Sequence, residues 1–231
     1  MLNHKPTRRF GIILGLFFLA SGLRAQEAVM PAAEEATITS DQLELVDNGS
    51  KSVFTGHVTL TRSPYVLTAD RMVRTKATGI VEAEGHIVGT WLKTSGEKTT
   101  AIGERGRYNP QADTTELWKH ARLTHWETVK DTAPLTVTAD KFVAHHDQQV
   151  LLAEHHVIIR HGTTFESHSD EAKYDQQQQV IHLWGEHRTS LQWVDAQGSG
   201  HFLSDRALLY VSPKRARLID NVTGHVIPNK S

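Results

Sequence analysis

An all-β fold is predicted, an elongated twisted jellyroll or solenoid-like sandwich of about six two-strand repeats and about 12–16 strands in all. Three observations predict it. A small residue followed by an acid recurs six times along the 231-residue chain, and each acid is followed by the same strand–turn–strand pattern. Beyond the N-terminal segment no stretch keeps a 3.6-residue apolar period, so very little helix is expected.

The six dipeptides are Ser40-Asp41, Ala69-Asp70, Gly103-Glu104, Ala139-Asp140, Ser169-Asp170 and Ser204-Asp205, at intervals of 29, 34, 36, 30 and 35 residues between acids. Thirteen residues after each acid stands Phe54, Ala83, Leu117, Ala153, Leu183 or Leu218, always apolar. Seventeen after stands Val58, Ile87, Ala121, Val157, His187 or Val222, apolar in five of six. Apolar positions two apart mark a strand with one buried face. Between the paired strands lie turn formers: Asp47–Ser50, Lys76–Gly79, Asn109–Asp113, His145–Gln149, Asp175–Gln179 and Ser212–Arg215. Longer inter-unit loops are expected within 91–100, 126–135 and 191–200, where Gly, Pro, Thr and charge gather. A two-strand unit cannot bury its own apolar face, so the units must stack.

Residues 1–25 read as a signal peptide. Lys5, Arg8 and Arg9 precede a short apolar run, Phe10 to Ala20, and Leu23-Arg24-Ala25 offers a cleavage site. The run is shorter than the roughly 20 residues a spanning helix needs, so a retained anchor is the alternative. Cleavage removes four basic residues and no acid, taking 25 basic residues to 21 against 26 acidic ones. That balance does not favour a nucleic-acid partner. Residues 26–36 form a flexible leader, 37–227 one β domain and 228–231 a tail. The chain has no cysteine, which excludes disulfides, thiolate metal sites, cysteine nucleophiles and a lipidated cysteine.

Val53-Phe54-Thr55-Gly56-His57-Val58-Thr59-Leu60-Thr61, followed by Leu67-Thr68-Ala69-Asp70-Arg71-Met72-Val73, resembles the OstA-like family, which includes LptA and the periplasmic domains of LptC and LptD. Val137-Thr138-Ala139-Asp140-Lys141-Phe142-Val143 repeats the second piece in register. The resemblance is strongest over residues 38–88, and weaker repeats carry it to about residue 227. The third unit departs from the pattern, with Glu104, Gly106 and Lys119 where Asp, an apolar residue and Gly are expected. The resemblance implies an open β-jellyroll in the periplasm whose groove holds the acyl chains of lipopolysaccharide. It also implies protomers joined end to end, with LptC-like and LptD-like domains as partners.

The candidate ligand-binding residues are the inward apolar positions Leu43, Leu45, Phe54, Val58, Met72, Ile87, Leu117, Phe142, Leu151, Val157, Ile181 and Leu183. They could line a lipid groove or fill a dry core. Small inward residues (Ala83, Ala153, Ala172, Ala207 and Ala216) could widen a groove or let two sheets approach. Some of Trp91, Trp118, Trp126, Trp184 and Trp193 could edge it, since an indole suits a lipid–water boundary.

No cofactor, metal or catalytic residue is assigned. Sixteen residues after the first four acids stand His57, His86, His120 and His156, read as solvated side chains on the outward face. An acid repeated in every unit reads as structural, placed at a strand start to hold turn amides, rather than as one of a catalytic pair. No G-x-S-x-G elbow is present. Besides a lipopolysaccharide carrier, the sequence leaves open an LptC-like membrane-anchored component, a structural or adhesive β-solenoid without lipid, and a carbohydrate-active β-helix enzyme.

Overall fold

The computed structural model describes residues 37–94, 96–128, 133–211 and 215–229. The signal peptide and leader, residues 212–214 of the last turn and residues 230–231 lie outside the described residues. The described residues form sixteen β-strands and no helix. In chain order these are β1 (Thr37–Thr39), β2 (Gln42–Val46), β3 (Lys51–Arg62), β4 (Tyr65–Thr75), β5 (Val81–Leu92), β6 (Lys98–Asn109), β7 (Thr114–Trp126) and β8 (Leu135–His145). There follow β9 (Val150–His161), β10 (Phe165–Asp175), β11 (Val180–Trp184), β12 (Thr189–Val194), β13 (Gly198–Ser204), β14 (Arg206–Tyr210), β15 (Arg215–Ile219) and β16 (Thr223–Pro228). All pair antiparallel in one sheet.

Strands β3 to β10 are long and each breaks register near its middle, as at Thr55/Val58 in β3 and Trp118/Ala121 in β7. At the ends of the sheet the same break separates whole strands: β1 from β2, β11 from β12, β13 from β14 and β15 from β16. Six units of two passes therefore give twelve passes, counted as sixteen strands. The line of breaks folds the sheet into two flanks. One runs from β1 through the near halves of β3–β10 to β12, β13 and β16. The other runs from β2 through the far halves to β11, β14 and β15.

Side chains in register cross the second flank in a single rung: Phe54, Met72, Ala83, Gly106, Leu117, Phe142, Ala153, Ala172, Leu183, Ala207 and Leu218. Large and small residues alternate irregularly along it, so that side chains from the facing flank can interdigitate. Gly106 belongs to this pattern: a Cβ there would crowd Ile87 Cδ1 at 3.3 Å. The interior they share with Leu60, Leu123, Ile159 and Leu191 of the first flank is a single core.

Two expectations need correction. Leu43 and Leu45 are not interior; they are 57% and 64% exposed. They lie on β2, which among the described residues pairs only with β3, so no preceding strand covers them. Four of the six acids do not sit at strand starts either. Asp70, Glu104, Asp140 and Asp170 stand in mid-strand, at the fold line, while Asp41 and Asp205 occupy the breaks after β1 and β13. At the C-terminal end of the described residues Pro228 closes β16 and the Asn229 amide N–H donates to Gln197 O (3.0 Å).

Candidate functional site

The fold line is built from a two-residue corner in the left-handed backbone region. Gly56-His57 have φ of 76° and 45°, and Gly85-His86 have 74° and 43°. Lys119-His120, His155-His156 and Asp220-Asn221 adopt the same conformation without glycine. Such dihedrals cost an L-residue about 1–2 kcal/mol, and the side chain at the second position helps offset that cost. His57 Nδ1 contacts Asp41 Oδ2 at 2.8 Å, His86 contacts Asp70 at 2.8 Å, His120 contacts Glu104 at 2.7 Å and His156 contacts Asp140 at 2.9 Å. In the fifth unit the corner is two residues longer, and Asp170 accepts both the backbone N–H of His187 (2.8 Å) and its ring nitrogen (3.1 Å). In the sixth, Asn221 Nδ2 donates to Asp205 at 2.7 Å. Glycine at the first corner position is required for space as well as φ in two units. A Cβ on Gly56 or Gly85 would collide with the carboxylate of Asp41 or Asp70.

These histidines are exposed and each is committed to a carboxylate. Among the described residues no group of three or more His, Cys, Asp or Glu side chains could hold a metal ion. The hydrogen bond that His57 donates to Asp41, then the charge of Asp41, raises the pKa of His57, and Asp70 does the same for His86. Asp170 is lowered, first by the His187 backbone N–H. The ridge is thus an acid–imidazole ladder that bends the sheet.

The space enclosed by the bend is uneven. From the first to the fourth unit it is closed and packed: Val58, Met72, Ile87, Leu117 and Val157 are almost fully buried. Further along, a cavity of about 720 Å³ opens between the flanks, within the range of small-molecule sites. Leu135, Ile159, Phe165, Leu191, Trp193 and Phe202 line it from the first flank, and Tyr174, Ile181, Leu209 and Leu218 from the second. It reaches solvent past the exposed Val194, Asp195, Arg215 and Ala216. Polar groups are few and gather at the rim and throat: His125, Glu127, His161, Asp195 and Arg215, the last 4.0 Å over the Tyr210 ring. A narrow extension of about 30 Å³ continues toward Phe142, Leu151 and Ala153.

Of the twelve candidate residues, Ile181 lines the cavity and, with Phe142 and Leu151, its extension. Val58, Met72, Ile87, Leu117, Val157 and Leu183 lie in the packed core, Phe54 is half-buried against it, and Leu43 and Leu45 are exposed. The sequence reading omits Leu135, Phe165, Tyr174, Phe202 and Leu218 as lining residues. Counting on both sides of the acid would have exposed some of them. Five residues before it come Tyr65, Thr99, Leu135, Phe165 and Gly200, and four after it Tyr108, Ala144, Tyr174 and Leu209. Of the tryptophans expected at a groove edge, Trp193 lines the cavity and stacks on Phe202 at 5.2 Å. Trp91 stacks on Tyr65 at 6.1 Å farther along the same lip, beneath Lys93.

Residues 37–150 match the family described as LptA/(LptD N-terminal domain) LPS transport protein. Among solved structures, the chain is similar to LptH of Pseudomonas aeruginosa, described as the LptA homologous periplasmic component of the conserved lipopolysaccharide transport device. That similarity has 19% sequence identity and a TM-score of 0.44, and covers 52% of this chain and 82% of that one. No curated protein matches the sequence.

The ladder carries a signed pH dependence. A histidine with a raised folded pKa contributes stability that is fully present below its unfolded pKa of about 6.5 and is lost as pH rises through the folded value. Asp70→Asn is expected to bring the His86 titration down toward that of an unpaired imidazole, read by NMR of the ring resonances. Asp205→Asn, at the far end of the ridge, is expected to leave it unmoved.

Proposed function

We propose that this chain, whose residues 37–150 match the LptA/(LptD N-terminal domain) family of lipopolysaccharide transport proteins, carries the acyl chains of lipopolysaccharide between its two flanks. The observation that carries the proposal is the cavity of about 720 Å³, walled by aromatic and aliphatic side chains and open along one side. An apolar trough of this shape removes chain from water at about 0.8 kcal/mol per buried CH₂, and the open side leaves a bulky sugar head in solvent. In this reading residues 1–25 are a cleaved signal peptide that delivers the 37–227 domain to the periplasm.

The same premise extends to assembly. Among the described residues the first pass, β1 and β2, pairs only with β3, and the last, β15 and β16, pairs only with β14 and β13. Both ends show apolar side chains: Ile38, Leu43 and Leu45 at one, Val222, Val226 and Ile227 at the other. An unpaired apolar edge is a template for another strand, and unlike ends joined head to tail propagate instead of closing. The partners are therefore a second copy and the LptC-like and LptD-like jellyroll domains at either end of a bridge.

Two experiments test the proposal. A photocrosslinker replacing Phe165 or Leu218 is expected to yield lipopolysaccharide adducts, while one at Val88, an exposed apolar position outside the cavity, is expected to give none. Adducts at Val88 alone, or at no position, contradict the groove. In sedimentation, average mass is expected to rise with concentration and Leu45→Lys to abolish the rise. A monomer across the whole range contradicts end-to-end assembly.

A further inference from the structure

Tyr174 stands on the inner face of β10, directly opposite Leu151 of β9 and Ile181 of β11. It is 4% exposed, and its hydroxyl is buried with no hydrogen-bond partner among the described residues. Burial pushes the phenol up to about 12, so it stays protonated and keeps its proton to donate. An unpaired buried hydroxyl costs free energy that a phenylalanine of the same shape would avoid. Its counterpart in the third unit, Tyr108, lies in the closed part of the interior and has partners there, with the His146 ring at 6.4 Å. Ala144 and Leu209 hold the same register in the fourth and sixth units, without any polar atom to satisfy.

The position of Tyr174 says what could complete it. With His125, Leu135, Ile159 and Ile181 it borders both the wide cavity and the narrow extension, forming the throat between them. The extension, about 30 Å³, is close to the volume share of a single water, so a chain entering from the wide side is held with its leading part at the throat. Across the throat His125 is hydrogen-bonded to Thr99 (2.9 Å), and the remaining shared wall residues are aliphatic. A ligand of bare hydrocarbon would leave the phenol donor unpaired, while one with an oxygen there would satisfy it.

We infer that Tyr174 is a specificity-determining residue of the groove, whose hydroxyl donates a hydrogen bond to an oxygen borne on an acyl chain, a hydroxyl or an ester carbonyl. The inference rests on the groove reading and sharpens it: the cargo is an oxygen-bearing acyl chain in preference to a plain one. The same geometry makes the hydroxyl dispensable for folding, because nothing in the protein depends on it.

The test uses the full chain and displacement of the fluorescent apolar dye N-phenylnaphthylamine by myristate and by β-hydroxymyristate. The wild type is expected to favour the hydroxylated chain by about five- to tenfold, the worth of one hydrogen bond. Tyr174→Phe is expected to erase that preference, keep myristate affinity and show a thermal midpoint no lower than wild type. Val88→Ala, outside the cavity, is expected to keep the preference. An equal preference in wild type and Tyr174→Phe overturns the assignment. So does a Tyr174→Phe protein with a lowered midpoint and weakened binding of both ligands, which would make the hydroxyl a structural group. Failure of both fatty acids to bind the wild type removes the groove itself, and the inference with it.

Discussion

The left-handed corner in the middle of each unit is the constraint on which the rest of the structure depends. Two consecutive residues with positive φ turn the strand through the fold line, and a carboxylate from the neighbouring pass holds the second of them. The corner spans two residues, one full period of strand alternation, so the inward face is kept across it. Thus Val58 and Phe54 both contribute to the interior although the corner separates them. The acid–imidazole contacts lie in water, where isolated ion pairs contribute little. Their importance is conformational, since they select one backbone geometry repeatedly and keep the corners aligned along the ridge.

Where the corner is tight the flanks close on each other, and where it lengthens the interior opens. Strands β3 to β9 run through their corners without interruption, and the interior beneath them holds the buried Met72, Leu117 and Phe142. In the fifth unit four residues, 185–188, separate β11 from β12, and β10 pairs with both. The large cavity lies in this region, with walls drawn from both branches. A continuous sheet thus supplies a rigid packed stem, and the parting of its last passes supplies the space.

Much of this was legible in the sequence, because stacked units repeat the same physical requirements. The apolar residues thirteen and seventeen after each acid identified the strand passes and their buried sides, and Asn, Asp, Gly and Pro marked the turns between them. The histidine register was visible too, but a list of residues does not say that His57 reaches back to Asp41 across a corner. The acid was therefore assigned to the start of a strand when it lies at its bend. Leu43 and Leu45 obey the alternation faithfully, yet alternation cannot tell a first pass, covered on one side only, from an interior one. Nor could it separate a packed core from a groove: Leu117 and Leu218 both stand thirteen residues after an acid, and one lies in the closed stem while the other lines the cavity. The trace of the opening was His187, the one polar residue in the seventeenth position, which reflects the longer corner of the fifth unit.

Amide hydrogen exchange of the full chain with and without lipopolysaccharide tests the central claim most directly, that cargo sits where the flanks part. The account predicts slower exchange concentrated in β10, β11, β12, β14 and β15, with β3 to β6 unchanged. Protection confined to β3–β6, or no change in any strand at saturating lipopolysaccharide, would contradict it.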